Sequence, residues 1–465
     1  MKHIGKLSEI AEVLGIEQIS IEEDHWINQV CIDSRDIVSN ALFFAVKGER
    51  TDGHLFLESA RMQGAVGAVV QKDHPSIDRK AFREDFVLFL VDDVLDGLQQ
   101  VATWYREHFE LPVIAVTGSS GKTTTKDMVR AVLSTKMKVH ANHGSFNNEI
   151  GLPLTILEMD SDTDALVLEM GMRGLGQITQ LCRIAKPNIG VITNIGITHL
   201  ELLRTPENIY EAKTELLEYM GDRGTCILNE EDRWTSKAKT KCLGKLYSVG
   251  FSPSASLIAT DLKEFKSDMQ FLVHAEGKAA LCKLEMLGRH HVLDALEAIQ
   301  VGLHLGVSLE EGVLGLEKME ISDRRMKMCK GLRNSVILDD CYNANPDSMR
   351  ASLEILIKDT TRTLAVLGDM LELGEVEIAE HEKIGVWIAE HGVNTLVTVG
   401  ELALHIALGA KSAGMKNVYT FHSHQEVLDF LLSYIGKGDR ILVKGSRAMK
   451  MEEIVEPLLG VEHAK

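Results

Sequence analysis

The seven cysteines of this chain (Cys31, Cys182, Cys226, Cys242, Cys282, Cys329 and Cys341) stand singly with no CxxC pair, which suits neither a zinc site nor a disulfide framework. They read as free thiols of a reducing compartment. No long run of Lys and Arg occurs, and the formal net charge is −18, so the clustered cations that neutralise nucleic-acid phosphates are missing. No nucleic-acid partner is expected. No uncharged apolar run reaches the roughly eighteen residues of a membrane span, and Met1-Lys-His-Ile-Gly-Lys-Leu-Ser-Glu9 lacks a signal peptide's apolar core. The expectation is a cytoplasmic monomer with no membrane insertion.

At 465 residues, 45% of them apolar, the chain exceeds one ordinary hydrophobic core and suggests about three domains. Its most telling stretch is Thr117-Gly118-Ser119-Ser120-Gly121-Lys122-Thr123-Thr124-Thr-Lys126. An apolar run, Val113 to Val116, precedes it, and Asp127 to Leu133 follows at helical spacing, giving strand, tight loop, helix. Gly118 and Gly121 let backbone N–H groups turn toward an anion, and the new helix offers its positive end. Lys122 adds a charge and Thr123 a magnesium-ligating hydroxyl. The standard phosphate-loop pattern has a glycine where Val116 stands, so this is a shortened variant; an accidental glycine turn is the alternative.

In the first part, Leu7 to Leu14 is amphipathic, and Val30-Cys-Ile-Asp33-Ser34-Arg35-Asp36 ends a strand-like run with an acceptor, a hydroxyl and a guanidinium. Leu42-Phe-Phe-Ala-Val46 leads into Lys47-Gly48-Glu-Arg-Thr-Asp-Gly-His54, a polar loop able to wrap a ligand, although a solvated turn has the same composition. Gly64-Ala-Val-Gly-Ala-Val-Val70 reads as a further strand preceded by a helix. The first domain is set at residues 1–85 and the second at 86–320.

The central domain alternates strands and helices, which points to a mostly parallel sheet with ligands at the strands' carboxyl ends. Ala165-Leu-Val-Leu-Glu169 and Ile189-Gly-Val-Ile-Thr-Asn194 are buried strands, the second followed by His199. Thr123, Glu169 and His199 would converge there, with oxygens suited to a hard cation. Taken singly, Glu169 is equally a capping acid and His199 a core histidine. Asn147 and Asn148 stand in a turn closed by Gly151 and Pro153, and Pro206 opens a helix carrying Lys213, by pattern a surface lysine. Residues 245–286 are β-like, and helices follow from Gly288 and from Ser308. The last domain, 321–465, alternates again, with strands Val336–Asp339, Thr363–Leu367, Thr395–Val399 and Arg440–Val443. Three polar loops stand at their carboxyl ends: Asp340-Cys-Tyr342-Asn343-Ala-Asn345-Pro346, Gly368-Asp-Met-Leu-Glu-Leu-Gly374 and Lys444-Gly-Ser-Arg447.

Together these pieces resemble the Mur ligases over essentially the full chain. The resemblance implies an α/β protein of three domains: a small N-terminal α/β uridine-nucleotide domain, a central P-loop ATPase-like, mostly parallel sheet with a flanking β region, and a C-terminal doubly wound Rossmann-like domain. It implies an ATP-dependent ligase of peptidoglycan precursor synthesis, in which the peptide carboxylate of UDP-N-acetylmuramoyl-tripeptide attacks the γ-phosphate of ATP. The amine of D-alanyl-D-alanine then opens the acyl phosphate. By resemblance Lys122 and two Mg²⁺ ions offset repulsion between the anions. Thr123 and Glu169 would hold one ion, and His199 with Lys213, as a carbamate, the other. The loop from Gly118 to Thr124, with Asp340, Tyr342, Asn343 and Arg324 or Arg325, would bind nucleotide. Asp33, Ser34, Arg35, Lys47, Gly48, Asn147, Asn148, Asn345 and Lys444 would bind substrates.

One departure stands out. Where the family's helix opens His-Asn-x-x-Asn, with the asparagines near the adenine, this chain has His290-His291-Val-Leu-Asp294, whose donor and acceptor patterns differ. Two other readings stay open: a carboxylate–amine ligase of the same family with another substrate pair, and a uridine-nucleotide-binding regulator without catalysis. The intact set Lys122, Thr123, Glu169, His199 and Lys213 argues against the second.

Overall fold

A computed structural model describes residues 3–17, 23–48, 51–77, 86–144, 146–319, 324–358 and 361–459. Three sheets carry the architecture, beside a two-stranded ribbon (Gly5–Lys6 with Trp26–Ile27). The first is all parallel, in the order Gln29–Cys31, Ala41–Phe44, Ala65–Gln71, Val87–Val91. Val87–Val91, just past the boundary expected near residue 85, pairs in register with Gly67–Gln71 and completes this sheet.

The central sheet has nine strands. Val139–Ala141, Ala165–Glu169, Val113–Thr117, Ile189–Ile192, Thr225–Asn229, Lys245–Gly250 and Leu257–Glu264 run parallel, and Met269–Ala275 and Lys278–Leu284 follow antiparallel. The β-like region thus continues the same sheet. Its middle strands are apolar on both faces because both are covered. In Val113–Thr117, Ile114 and Val116 join a core beneath helices Lys122–Leu133 and Arg289–His304, whereas Val113 and Ala115 join the opposite core with Leu152, Ile178 and Leu216. Full burial of each such aliphatic side chain contributes roughly 1.5–3 kcal/mol.

The third sheet has six strands in the order Lys327–Lys330, Val336–Asp339, Arg440–Lys444, Thr363–Leu367, Thr395–Val399, Val418–Phe421, all parallel but the first. The doubly wound arrangement expected from the alternation is present, with two edge strands added. All seven cysteines are free. Among the described residues no helix is long and apolar enough to cross a membrane.

Candidate active site

The phosphate loop leaves the central sheet at Thr117, whose Oγ1 donates to the Met170 carbonyl at 2.9 Å. Gly118 has φ +153° and packs so tightly that a Cβ there would lie 1.9 Å from Thr193 Oγ1. The adjacent strand backs the loop: Ser119 N–H donates to Asn194 O at 2.9 Å, and Ser120 N–H to Asn194 Oδ1 at 3.0 Å. Gly121, at φ +82°, is the N-cap of helix Lys122–Leu133 and supplies no side-chain cap. The helix's positive end is thus open toward the loop's concave side. Lys122 folds back to donate to Gly118 O at 2.8 Å. Burial lowers its pKa, with Arg325 in the same sense and Glu169 opposing.

Thr123 lies in the first turn, and its Oγ1 donates to Glu169 Oε2 at 2.5 Å. Glu169 ends its strand, where Asn142 clamps the backbone on both sides (Glu169 N–H to Oδ1 at 2.9 Å, Nδ2 to Glu169 O at 3.2 Å). Asn147 Nδ2 donates to Glu169 Oε1 at 2.6 Å. Asn148 turns away, because its Oδ1 accepts the Gly151 N–H at 2.9 Å at the start of helix Gly151–Leu157. The expected amide pair is therefore split, and Gly151 and Pro153 begin a helix rather than close a turn.

His199 precedes the short helix Leu200–Leu203 at φ 55°. Its Nδ1 lies 2.7 Å from Glu372 Oε2, an approach oblique to the ring N–H. Burial lowers its pKa, Glu372 opposes that, and the charges of Lys213 and Lys122 lower it further. Lys213 comes from helix Pro206–Met220, which Thr205 caps with Pro206 in its first turn. Only 1% exposed, it has no hydrogen-bond or ion-pair partner among the described residues. Burial, and then Lys122, drive its pKa well below that of an ordinary lysine. The surface-lysine reading fails here, since the helix face carrying Lys213 also buries Ile209, Ala212 and Leu216.

Loops of the third sheet close on this group. Asn345 Nδ2 donates to Ser120 Oγ at 3.0 Å, and Asp347 Oδ2 accepts the Ile197 N–H at 3.2 Å. Arg325 donates to Thr123 Oγ1 at 2.8 Å while its guanidinium stacks 3.9 Å from the Tyr342 ring centre. Arg324, assigned to the nucleotide above, instead pairs with Glu456 at 2.7 Å and faces Asp339. The left-handed backbone at Arg324 and Met326 (φ 64° and 54°) aims these neighbouring arginines apart. Lys444 stays within its own domain, bonding Asp340 Oδ2 at 2.5 Å and Asn343 O at 3.0 Å. Asp340 also accepts from Ser352 Oγ and Met326 N–H. Burial opposes its ionisation, but Lys444, Ser352 and Arg325 together outweigh that and lower its pKa.

The N-terminal residues form a separate group. Ser34 is buried, and Arg35 is 84% exposed and forks onto Asp33, whose pKa those hydrogen bonds pull to about 2. Lys47 and Asp52 pair through their main chains in an isolated antiparallel β-bridge, and Gly48 N–H donates to Thr51 O at 2.9 Å; Glu49 and Arg50 of this loop lie outside the described residues. Asp52 Oδ1 lies 2.7 Å from His54 Nδ1 and its Oδ2 3.0 Å from His74 Nε2. Among the described residues, no hydrogen bond or ion pair joins Ser34, Arg35, Lys47 or Gly48 to the phosphate loop. Asn142, Thr193, Asn194, Asp347 and Glu372 were not singled out from sequence, although each falls in or beside a quoted stretch.

A phosphate loop on one parallel sheet, overlaid by loops of a second, defines the class, and the chain belongs to the Mur ligase family. Residues 26–94 match the model for the Mur ligase family catalytic domain, 116–302 the Mur ligase middle domain and 324–447 the Mur ligase glutamate ligase domain. More particularly, it is 37% identical over 436 residues to UDP-N-acetylmuramoyl-tripeptide–D-alanyl-D-alanine ligase of Bacillus subtilis (strain 168), covering 93% of each chain. The ligase of the same name from Synechocystis is 35% identical, covering 95% of this chain and 94% of that one. In structure it is similar to MurF from Acinetobacter baumannii (TM-score 0.88, 30% identity, 98% of each chain). It is also similar to MurF ligase from Thermotoga maritima in complex with ADP (TM-score 0.80, 27% identity, 92% of this chain and 96% of that one).

Proposed function

We propose that this chain is an ATP-dependent ligase that joins D-alanyl-D-alanine to UDP-N-acetylmuramoyl-tripeptide in the cytoplasm and acts as a monomer. ATP phosphorylates the peptide carboxylate with loss of ADP. The dipeptide's amine then displaces phosphate from the acyl phosphate, forming the amide bond. The observation that carries this reading is Thr123, reached by Glu169 from its own sheet at 2.5 Å and by Arg325 from the other at 2.8 Å. Acyl-phosphate chemistry needs that closure, because water would consume the intermediate.

In this reading the N–H groups from Gly118 to Thr124, with Lys122, cradle the phosphates, and Arg325, in place of Arg324, stabilises charge on the transferring phosphoryl group. Asp340, Tyr342, Asn343 and Asn345 form the closing wall, and Lys444 holds that wall in shape. Ser34, Arg35, Lys47 and Gly48 face the uridine diphosphate, and Asn147 the adjoining sugar diphosphate. Thr123 and Glu169 offer the hard oxygens that suit Mg²⁺. A second ion is assigned to His199 and Lys213. Lys213 fits a carbamate because burial without a partner favours its neutral, nucleophilic amine, and adding CO₂ with loss of a proton creates an anion beside Lys122. Bound Mg²⁺ would neutralise phosphate charge in both half-reactions. We place the domain junctions near residues 92 and 320.

The test is ADP release with purified protein, ATP and Mg²⁺. Release should require both UDP-N-acetylmuramoyl-tripeptide and D-alanyl-D-alanine. Equal turnover with a single amino acid would assign the chain to another member of the family.

A further inference from the structure

Beneath the phosphate loop lies a buried cluster that the proposed chemistry does not use. Helix Arg289–His304 packs against helix Lys122–Leu133 and brings His291, Asp294 and Glu297, all buried, under Gly121 and Thr125. A Cβ on Gly121 would stand 2.6 Å from Asp294 Oδ1, so this carboxyl group touches the loop backbone. The Thr125 hydroxyl lies 3.2 Å from Asp294 Oδ1 and 3.3 Å from Glu297 Oε2. It has one hydrogen, donates to one carboxyl, and requires the other to bring its own proton. His291 Nδ1 sits 3.1 Å from Asp294 Oδ2, while His291 Nε2 and Glu297 Oε1 are buried without a partner among the described residues.

Among the described residues the charged groups acting at Asp294 are His290, His291 and Glu297 on its own helix and Arg325 from the segment before strand Lys327–Lys330, with Asp340 and Lys444 acting on the histidines from beyond. Burial drives Glu297 well above the carboxylate range and lowers His291 to about 4, whereas His290 is exposed to solvent. Burial, opposed by His290, Thr125 and Arg325, raises Asp294 to about 7. Near neutrality His291 is uncharged, Glu297 keeps its proton, and Asp294 is the buried group that changes charge.

We propose that Asp294 is a positioning residue for the nucleotide, its carboxyl group taking up one proton from solvent when nucleotide phosphates occupy the loop above Gly121. This rests on the phosphate loop being the nucleotide site. A phosphate anion on one side of Gly121 and a carboxylate on the other repel across one layer of backbone, and protonation of Asp294 removes the repulsion. By linkage, nucleotide affinity falls as pH rises through neutrality. If binding raises the proton affinity tenfold, uptake is about half a proton at pH 7.5, and affinity drops about tenfold between pH 6 and pH 9.

Calorimetric titration of the full chain with ADP and saturating Mg²⁺, in buffers of different ionisation enthalpy, measures the proton number directly. The wild type should take up about half a proton at pH 7.5 and close to none at pH 6. Asp294→Asn should bind ADP with no uptake at either pH, and Glu297→Gln should behave as the wild type. A buffer-independent heat in the wild type at pH 7.5, uptake that persists in Asp294→Asn, or uptake lost in Glu297→Gln would each overturn the proposal. Should Asp294→Asn fail to fold, equal wild-type uptake at pH 6 and pH 7.5 would overturn it. Absence of ADP binding in every buffer would instead remove the nucleotide reading beneath it.

Discussion

Glu372 Oε2 lies 2.7 Å from His199 Nδ1, joining the Gly368–Gly374 loop of the C-terminal sheet to the loop that follows Asn194. Both residues have left-handed backbones, φ 65° and 55°, a conformation costing roughly 1–2 kcal/mol at a non-glycine residue. Arg173 lies 3.6 Å from the other carboxylate oxygen, and the Glu201 N–H reaches the Glu372 carbonyl at 3.4 Å. His199 in turn holds the Glu372 carboxyl below its ordinary pKa. Glu372→Ala is expected to lower kcat about 10–100-fold, the range for partners that orient a ligating histidine, and to raise the Mg²⁺ concentration for half-maximal rate. Steady-state kinetics across a Mg²⁺ series checks this; unchanged Mg²⁺ dependence would leave Glu372 no part in orienting His199.

The two neighbouring arginines separate cleanly. Arg325→Ala should reduce kcat by about 10²–10³, the loss typical of removing one donor from a developing charge. Arg324→Ala should leave kcat within a few-fold and lower stability by at most about 1 kcal/mol, because its partner Glu456 is largely exposed. Initial-rate measurements together with urea unfolding of both variants distinguish them.

Lys213 should trade stability against activity. A lysine buried without a partner costs free energy, and an apolar side chain of similar volume relieves that cost, so Lys213→Met is expected to stabilise the fold by about 1–3 kcal/mol and abolish turnover. Lys213→Ala should also be inactive, with short carboxylic acids in solution restoring part of the rate. Full activity in the unrescued Lys213→Ala protein would end the metal-ligand assignment.

The cluster beneath Gly121 also sets a pH dependence of stability. Between about pH 5 and 6, of the three buried groups His291, Asp294 and Glu297, the unfolded chain carries a proton on His291 alone and the folded chain carries protons on both carboxyl groups. The folded state binds the extra proton, so stability already falls there as pH rises. Above about pH 7 the unfolded groups hold none, while Glu297, its folded pKa raised by burial, still holds one. The folded state then binds the extra proton, and stability falls by about 1.4 kcal/mol per pH unit. Glu297→Gln should remove that slope, measured as the difference between its urea-unfolding free energies and the wild type's at pH 7 and pH 8.5.

The alternation of apolar strands with periodic helices made both large sheets legible, and the polar loops at their carboxyl ends lie on the edge where Thr123, Arg325 and Asn345 meet. What escaped was decided by tertiary pairing. Lys327–Lys330 and Val418–Phe421 are short, half-exposed edge strands; Lys-Met-Cys-Lys has a loop's composition, and Val-Tyr-Thr-Phe, though made of strand formers, is only four residues long, so each depends on the ladder that Val336–Asp339 or Thr395–Val399 supplies. Val87–Val91 leads straight into the helix before the phosphate loop, and its tie to the first sheet shows only in its ladder with Ala65–Gln71, the strand before it. Lys213 shares a helix with four other charged residues, Glu207, Glu211, Glu215 and Glu218, and only packing reveals which face is interior. Arg324 and Arg325 differ by one position, and the backbone turn that sends them opposite ways leaves no mark in composition.

The bonds around His54 decide what kind of cluster Asp52, His54 and His74 form. The main-chain N–H of Gln71 donates to His54 Nε2 at 3.0 Å and that of Ser76 to His74 Nδ1 at 3.3 Å, so the remaining nitrogen of each ring carries its hydrogen toward Asp52. All four imidazole nitrogens are committed, and neither ring of a group with the composition of a zinc site has a lone pair to lend. It works as a staple instead, tying the loop of Lys47 to the rim of its sheet, and that loop should keep its shape alike in chelator and in zinc.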